Sequence, residues 1–111
     1  MLFRYELEYL NAEVPADRAA NLERFLNEKE IPKNSFGYAY IAYAVLLLTD
    51  HPDMDIGRLT AEIVRKFDAD SAQVQRAMLY AVLMSWRYCG GRKLTVPEFI
   101  RNAADWLLAQ E

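Results

Sequence analysis

The sequence predicts an all-α fold. Only four glycines and four prolines occur in 111 residues, and most of them fall between periodic segments. Within those segments apolar side chains recur at helical spacing, and several begin with a capping residue. The expected architecture is a domain of five to six helices over residues 16–111 with an embedded helix-turn-helix at about 55–89. A short N-terminal arm, residues 1–15, precedes it.

Residues 16–30 place Ala19, Leu22, Phe25 and Leu26 on one side and Glu, Arg and Asn on the other. Pro15 and Asp17 mark the start of this amphipathic helix, and Ile31-Pro32 its end. Asn34 or Ser35 caps the second helix, which runs to about Thr49 and is apolar nearly all round, as a central helix is. Tyr38, Tyr40 and Tyr43 within it read as core residues with polar tips. Asp50-His51-Pro52-Asp53 breaks the chain.

Asp55 opens a third helix to about Lys66, carrying Ile56, Leu59, Ile63 and Phe67. Asp70 or Ser71 caps the fourth, and Gln73 is placed to complete a capping box if Asp70 is the cap. Val74, Ala77, Met78, Ala81, Val82, Ser85 and Trp86 then form one core stripe, and Gly90-Gly91 ends the helix in a left-handed conformation. Thr95-Val96-Pro97-Glu98 is a capping box that starts a last helix with Phe99, Ile100, Ala103, Trp106 and Leu107.

The arm has two readings. Phe3, Tyr5, Leu7 and Tyr9 alternate with charged residues at the period of a half-buried strand, which their β-prone aromatics favour. Phe3, Leu7, Leu10 and Val14 also fit a helical stripe. A lone strand would need a partner strand, such as one from a second subunit.

Composition narrows the function. The chain is 53% apolar and 26% charged with a net charge of -3, which excludes intrinsic disorder and disfavours a polycationic nucleic-acid binder. One cysteine, Cys89, allows no intrachain disulfide and fits a reducing compartment. With His51 the only histidine, a metal site is not expected, and neither is a cofactor. His51 sits in a loop with no nucleophile nearby in sequence, Cys89 reads as a partly buried inert thiol, and no catalytic or phosphate-loop motif occurs. The chain is therefore not expected to be an enzyme or to take a small-molecule substrate. The start, Met1-Leu2-Phe3-Arg4, lacks the features of a signal peptide. The apolar run Phe36–Leu48 is too short for a membrane span, so a cytoplasmic protein without a membrane partner is expected.

Two helices joined by a short turn, the second with Gln73, Gln75 and Arg76 near its start, match a helix-turn-helix unit. Arginine reads guanine and glutamine reads adenine in the major groove of double-stranded DNA. Charge agrees with that assignment. Residues 55–93 hold seven basic residues against four acidic ones, a local +3 inside an acidic chain. Arg58, Arg65, Lys66 and Lys93 are the candidate phosphate contacts. The competing account is that Arg65, Lys66 and Arg87 answer helix dipoles. On the outward side of the fourth helix, Leu79, Tyr80 and Leu83 stand where a DNA-facing helix would carry polar groups. They are the candidate interface for a homodimer or a protein partner.

Ile31-Pro32 followed by Gly37-Tyr38-Ala39-Tyr40, then Ala61-Glu62-Ile63-Val64-Arg65-Lys66-Phe67, Val74-Gln75-Arg76-Ala77-Met78 through Trp86, and Leu94-Thr95-Val96-Pro97-Glu98-Phe99-Ile100 occur in a definite order and spacing. In these segments the chain, from about Leu22 onward, resembles the C-terminal effector domain of the sporulation initiation response regulators. That resemblance implies an all-helical domain whose helix-turn-helix binds promoter DNA, often as two copies on tandem sites. Arg76 matches the first of the family's two recognition arginines. Leu79 stands at the second, Gln75 at an acidic position and Gln73 at a basic one. The family's following helix and loop are reduced to Arg92-Lys93, with much of the surface implied in contacting the polymerase sigma factor. No phosphoacceptor receiver domain accompanies the 111 residues, so switching by phosphorylation is not expected of this chain.

Overall fold

A computed structural model describes residues 16–111, and the two readings of the arm lie outside them. Five helices run α1 (Ala16–Glu28), α2 (Phe36–Asp50), α3 (Ile56–Phe67), α4 (Ser71–Cys89) and α5 (Val96–Ala109), with no strand among the described residues. The fold is all-α.

The helix α2 is the axis of the molecule and packs against each of the other four. Every residue from Gly37 to Leu46 is buried, as are Leu48 and Thr49. A helix apolar on all sides can be stable only in such a position, since each buried Leu or Ile contributes about 1.5–3 kcal/mol over leaving it in water. Its tyrosines are accommodated as amphipathic residues. The Tyr38 hydroxyl lies 3.4 Å from Asn27 Oδ1, and the rings of Tyr40 and Tyr43 meet Phe67 edge-on at 5.2 and 5.7 Å. Burial pushes the Tyr38 and Tyr40 hydroxyls up from the ordinary tyrosine range.

Helix ends follow local chemistry. Ser35, not Asn34, caps α2, accepting from the Tyr38 N–H at 3.2 Å. Asp55 caps α3 and Asp70 caps α4 in the same manner. At α5 the capping box is complete. The Glu98 N–H donates to Thr95 Oγ1 at 3.2 Å and the Thr95 N–H to Glu98 Oε1 at 2.9 Å, which holds the Glu98 carboxyl below the usual carboxylate range.

Three helix ends differ in detail from expectation. α1 stops before Ile31-Pro32, where Glu30 adopts φ 61° and the Ile31 N–H reaches back to the Leu26 carbonyl at 3.3 Å. This is a Schellman ending with glutamate in the position that usually takes glycine, closed by the buried Ile31. At α4, Gln73 donates only its backbone N–H to Asp70, with no return from its side chain, so the box is half formed. Gly90 has φ 74° but ψ −151°, outside the left-handed helical region that the glycine pair suggests.

The α4 stripe is buried at Val74, Met78, Ala81, Val82 and Ser85, with Ala77 half-buried. Trp86 does not join it: 41% of its surface is exposed. Cys89, expected partly buried, is also exposed. Both residues lie in the last turn of α4, where every residue from Trp86 to Cys89 is exposed, although the Cys89 thiol donates to the Glu28 carbonyl of α1 at 3.5 Å.

Arg18 ties the start of α1 to the end of α2 and to the residues just past α5. Its guanidinium donates to both carboxylate oxygens of Glu111 at 2.7 and 2.9 Å, and to Asp50 Oδ1 at 3.1 Å. The Arg18 hydrogen bonds, with the guanidinium charge behind them, hold the Glu111 carboxyl below its ordinary range.

Candidate functional site

α4 is held from behind and open in front. Val74 and Met78 are buried against the core, and Gly37 of α2 faces Ala77 and Ala81 with no side chain between. The turn from α3 is made by Asp68-Ala69-Asp70. Asp68 adopts φ 49°, ψ 51°, and the Ala69 N–H donates to the Val64 carbonyl at 3.1 Å. This reversal leaves the first turn and a half of α4 standing clear, so that Ser71, Ala72, Gln73, Gln75 and Arg76 are all exposed around the buried Val74.

The predicted base-reading residues divide between two sides of that ridge. Gln73 and Arg76 line a recess with Phe36, Tyr40 and Phe67. Gln75 turns the other way and donates from its side-chain amide to Ser71 Oγ at 3.1 Å. Arg76 makes no ion pair with the described residues, so its guanidinium is available to a ligand.

The predicted phosphate contacts are dispersed. Arg58 lies in a hollow with His51 and three aspartates, Asp50, Asp53 and Asp55, which offset its charge. Arg65 is held by Glu62 at 2.7 Å, and the same pair pulls the Glu62 carboxyl down from the ordinary carboxylate range. Lys66 is half-buried. Lys93 stands on the far side of α4 with its ammonium 5.3 Å over the Trp86 ring. The +3 of residues 55–93 is therefore not a single basic stripe.

Of the predicted interface residues, Leu79 and Tyr80 are 49% and 60% exposed and Leu83 is half-buried. They do not share one surface. Leu79 and Leu83 form a wall of an open groove of about 660 Å³, together with Gln75 and Lys93, whereas Tyr80 lies outside it. The opposite wall comes from Ile56 and Thr60 of α3 and from Leu94 and Val96 at the start of α5. Sequence reasoning missed those four residues. The available signal was in the caps: Asp55 and Thr95 each put an apolar residue at the first helical position, where it faces α4.

No family model and no curated protein matches this chain. Among the described residues no cluster of His, Cys, Asp or Glu is arranged to hold a metal ion, and no helix is long and apolar enough to cross a membrane.

Proposed function

We propose that the chain is a DNA-binding helix-turn-helix protein, a transcriptional regulator or accessory factor of the sporulation-regulator effector type, acting in the cytoplasm. The observation that carries this is the exposed start of α4, with Gln73, Gln75 and Arg76 in solvent around a fully buried Val74. A recognition helix needs its N-terminal side chains clear and its back fixed, because base readout depends on the position of a few polar groups. The order and spacing of the segments from Ile31 to Ile100 support the same reading. Arg76 would address guanine, Gln75 adenine, and Gln73 a neighbouring position. Arg65, Lys66, Arg58 and Lys93 would contact phosphates, fewer at a time than their number suggests.

Fluorescence anisotropy with labelled genomic fragments and a random duplex, across a salt series, tests this. With about three phosphates engaged, log K should fall with log[salt] at a slope of roughly −3. Arg76→Ala should weaken specific binding about tenfold while leaving random-duplex binding nearly unchanged. Absence of binding to either duplex at 50 mM salt would sink the proposal (a salt level at which even non-specific contacts are strong).

The groove beside Leu79 favours a second reading, a protein-interaction module that keeps the fold and pairs with itself or with a partner. A groove next to the start of α4 whose walls are mainly apolar, with Lys93 its one charged residue, serves protein contact better than phosphate contact.

A further inference from the structure

A separate cavity lies against the C-terminal half of α4. Phe25 from α1, Trp86 from α4, and Phe99 and Trp106 from α5 surround about 440 Å³ of space that also meets Lys29 and Arg92. The volume falls within the range of small-ligand sites. The Phe25 ring is 5.2 Å from that of Trp106 and 6.1 Å from that of Phe99, so the wall is a continuous aromatic surface.

Charge around it is one-sided. Arg24 lies 5.4 Å over Trp106, the Lys29 ammonium 5.4 Å over Phe25, and the Lys93 ammonium 5.3 Å over Trp86. Arg92 lines the cavity, and no acidic side chain does. Of these four cations Arg92 alone has an ion-pair partner among the described residues, Glu98 at 3.3 Å. In a chain whose net charge is -3, this is a local excess of positive charge on aromatic faces.

We propose that this cavity binds a planar aromatic carboxylate of one or two rings. The ring would lie against Trp86 and Trp106, and the carboxylate would face Lys29 and Arg92. Aromatic walls favour a flat π-system over an aliphatic body of equal volume. The cations favour an anion over its neutral analogue and repel a cationic one. Trp86, 41% exposed, lines the cavity at its rim while its ring also meets the Lys93 ammonium. The site does not depend on DNA binding, since it lies at the opposite end of α4 from Gln73 and Arg76.

The test is a titration of the ¹⁵N-labelled full chain, without DNA, by 2-naphthoate, 2-naphthamide and cyclohexanecarboxylate. The chain has two tryptophans, and both belong to the cavity, so their two indole N–H signals report on it. The expected result is saturable movement of both signals by 2-naphthoate with a Kd of about 1 mM or tighter. The amide and the aliphatic acid should each bind about tenfold more weakly. The exposed pair Lys29→Glu with Arg92→Glu should lose about tenfold toward 2-naphthoate with amide dispersion unchanged. If that double variant does not fold, Trp86→Leu should show the same loss through the remaining Trp106 signal. Lack of saturation up to about 10 mM, equal binding of acid and amide, or unchanged binding by the folded variant would each overturn the assignment.

Discussion

Gly37 of α2 lies so close to Ala77 of α4 that a methyl group on it would sit 2.5 Å from the Ala77 carbonyl oxygen and 2.9 Å from the Ala81 methyl. Gly37→Ala sets two effects against each other. Helix propensity would reward alanine by about 1 kcal/mol, whereas overpacking against main chain costs about 1–3 kcal/mol or more. The obstacle is a carbonyl in a helix and cannot rotate away, so sterics should prevail. We expect a net loss of about 1–2 kcal/mol in urea denaturation. A gain in stability would show that the two helices separate freely.

Glu30 is the reverse case. Its φ of 61° strains a residue with a Cβ, and its charge lies just past the end of α1, whose last turn has no basic residue. Glu30→Gly should relieve both, less the entropy glycine adds to the unfolded chain. A net gain of about 0.5–1 kcal/mol is expected, visible as a raised thermal midpoint.

Acid should destabilise the fold through named carboxylates. Glu98, Glu62 and Glu111 all titrate below their ordinary range in the folded state, because of the Thr95 amide, Arg65 and Arg18 respectively. Groups with depressed folded values stabilise above the ordinary carboxylate range. They lose that contribution as pH falls through the folded values. Denaturant midpoints should therefore be flat from pH 7 to about 5 and fall below about 4.5. Thr95→Ala, which removes one half of the box, should cost about 1 kcal/mol at neutral pH.

Leu79→Glu tests the groove as a protein interface. A carboxylate in place of Leu79 would lose the apolar contact and bring a charge that a second surface would have to desolvate, so association should be lost while far-UV circular dichroism stays the same. Light scattering would check this. An unchanged mass for an associating wild-type chain would place the interface elsewhere.

The fold was legible in the sequence where the determinants are local. Asp55, Asp70 and Thr95 cap their helices as their spacing suggests, and the stripe from Val74 to Ser85 faces inward because helical period and burial coincide there. The same stripe failed at Trp86, which is 41% exposed, since periodicity along one helix does not reveal how closely its neighbours pack on each turn. The site was legible in part. Gln73, Gln75 and Arg76 are exposed, but charge summed along the chain could not reveal that Arg58 lies among aspartates and Arg65 is held by Glu62. The groove and the aromatic cavity were invisible for a geometric reason: each is assembled from short pieces of several helices.

The central position of α2 sets the order in which the molecule comes apart. A helix that touches all four others cannot lose its amide protection until most of the packing is gone. Its backbone protons should be the last to exchange with heavy water, at rates governed by global unfolding. The final turn of α4, where Trp86 and Cys89 are exposed, should exchange before α2. Local opening at that end can thus proceed while the first turn of α4 stays in place.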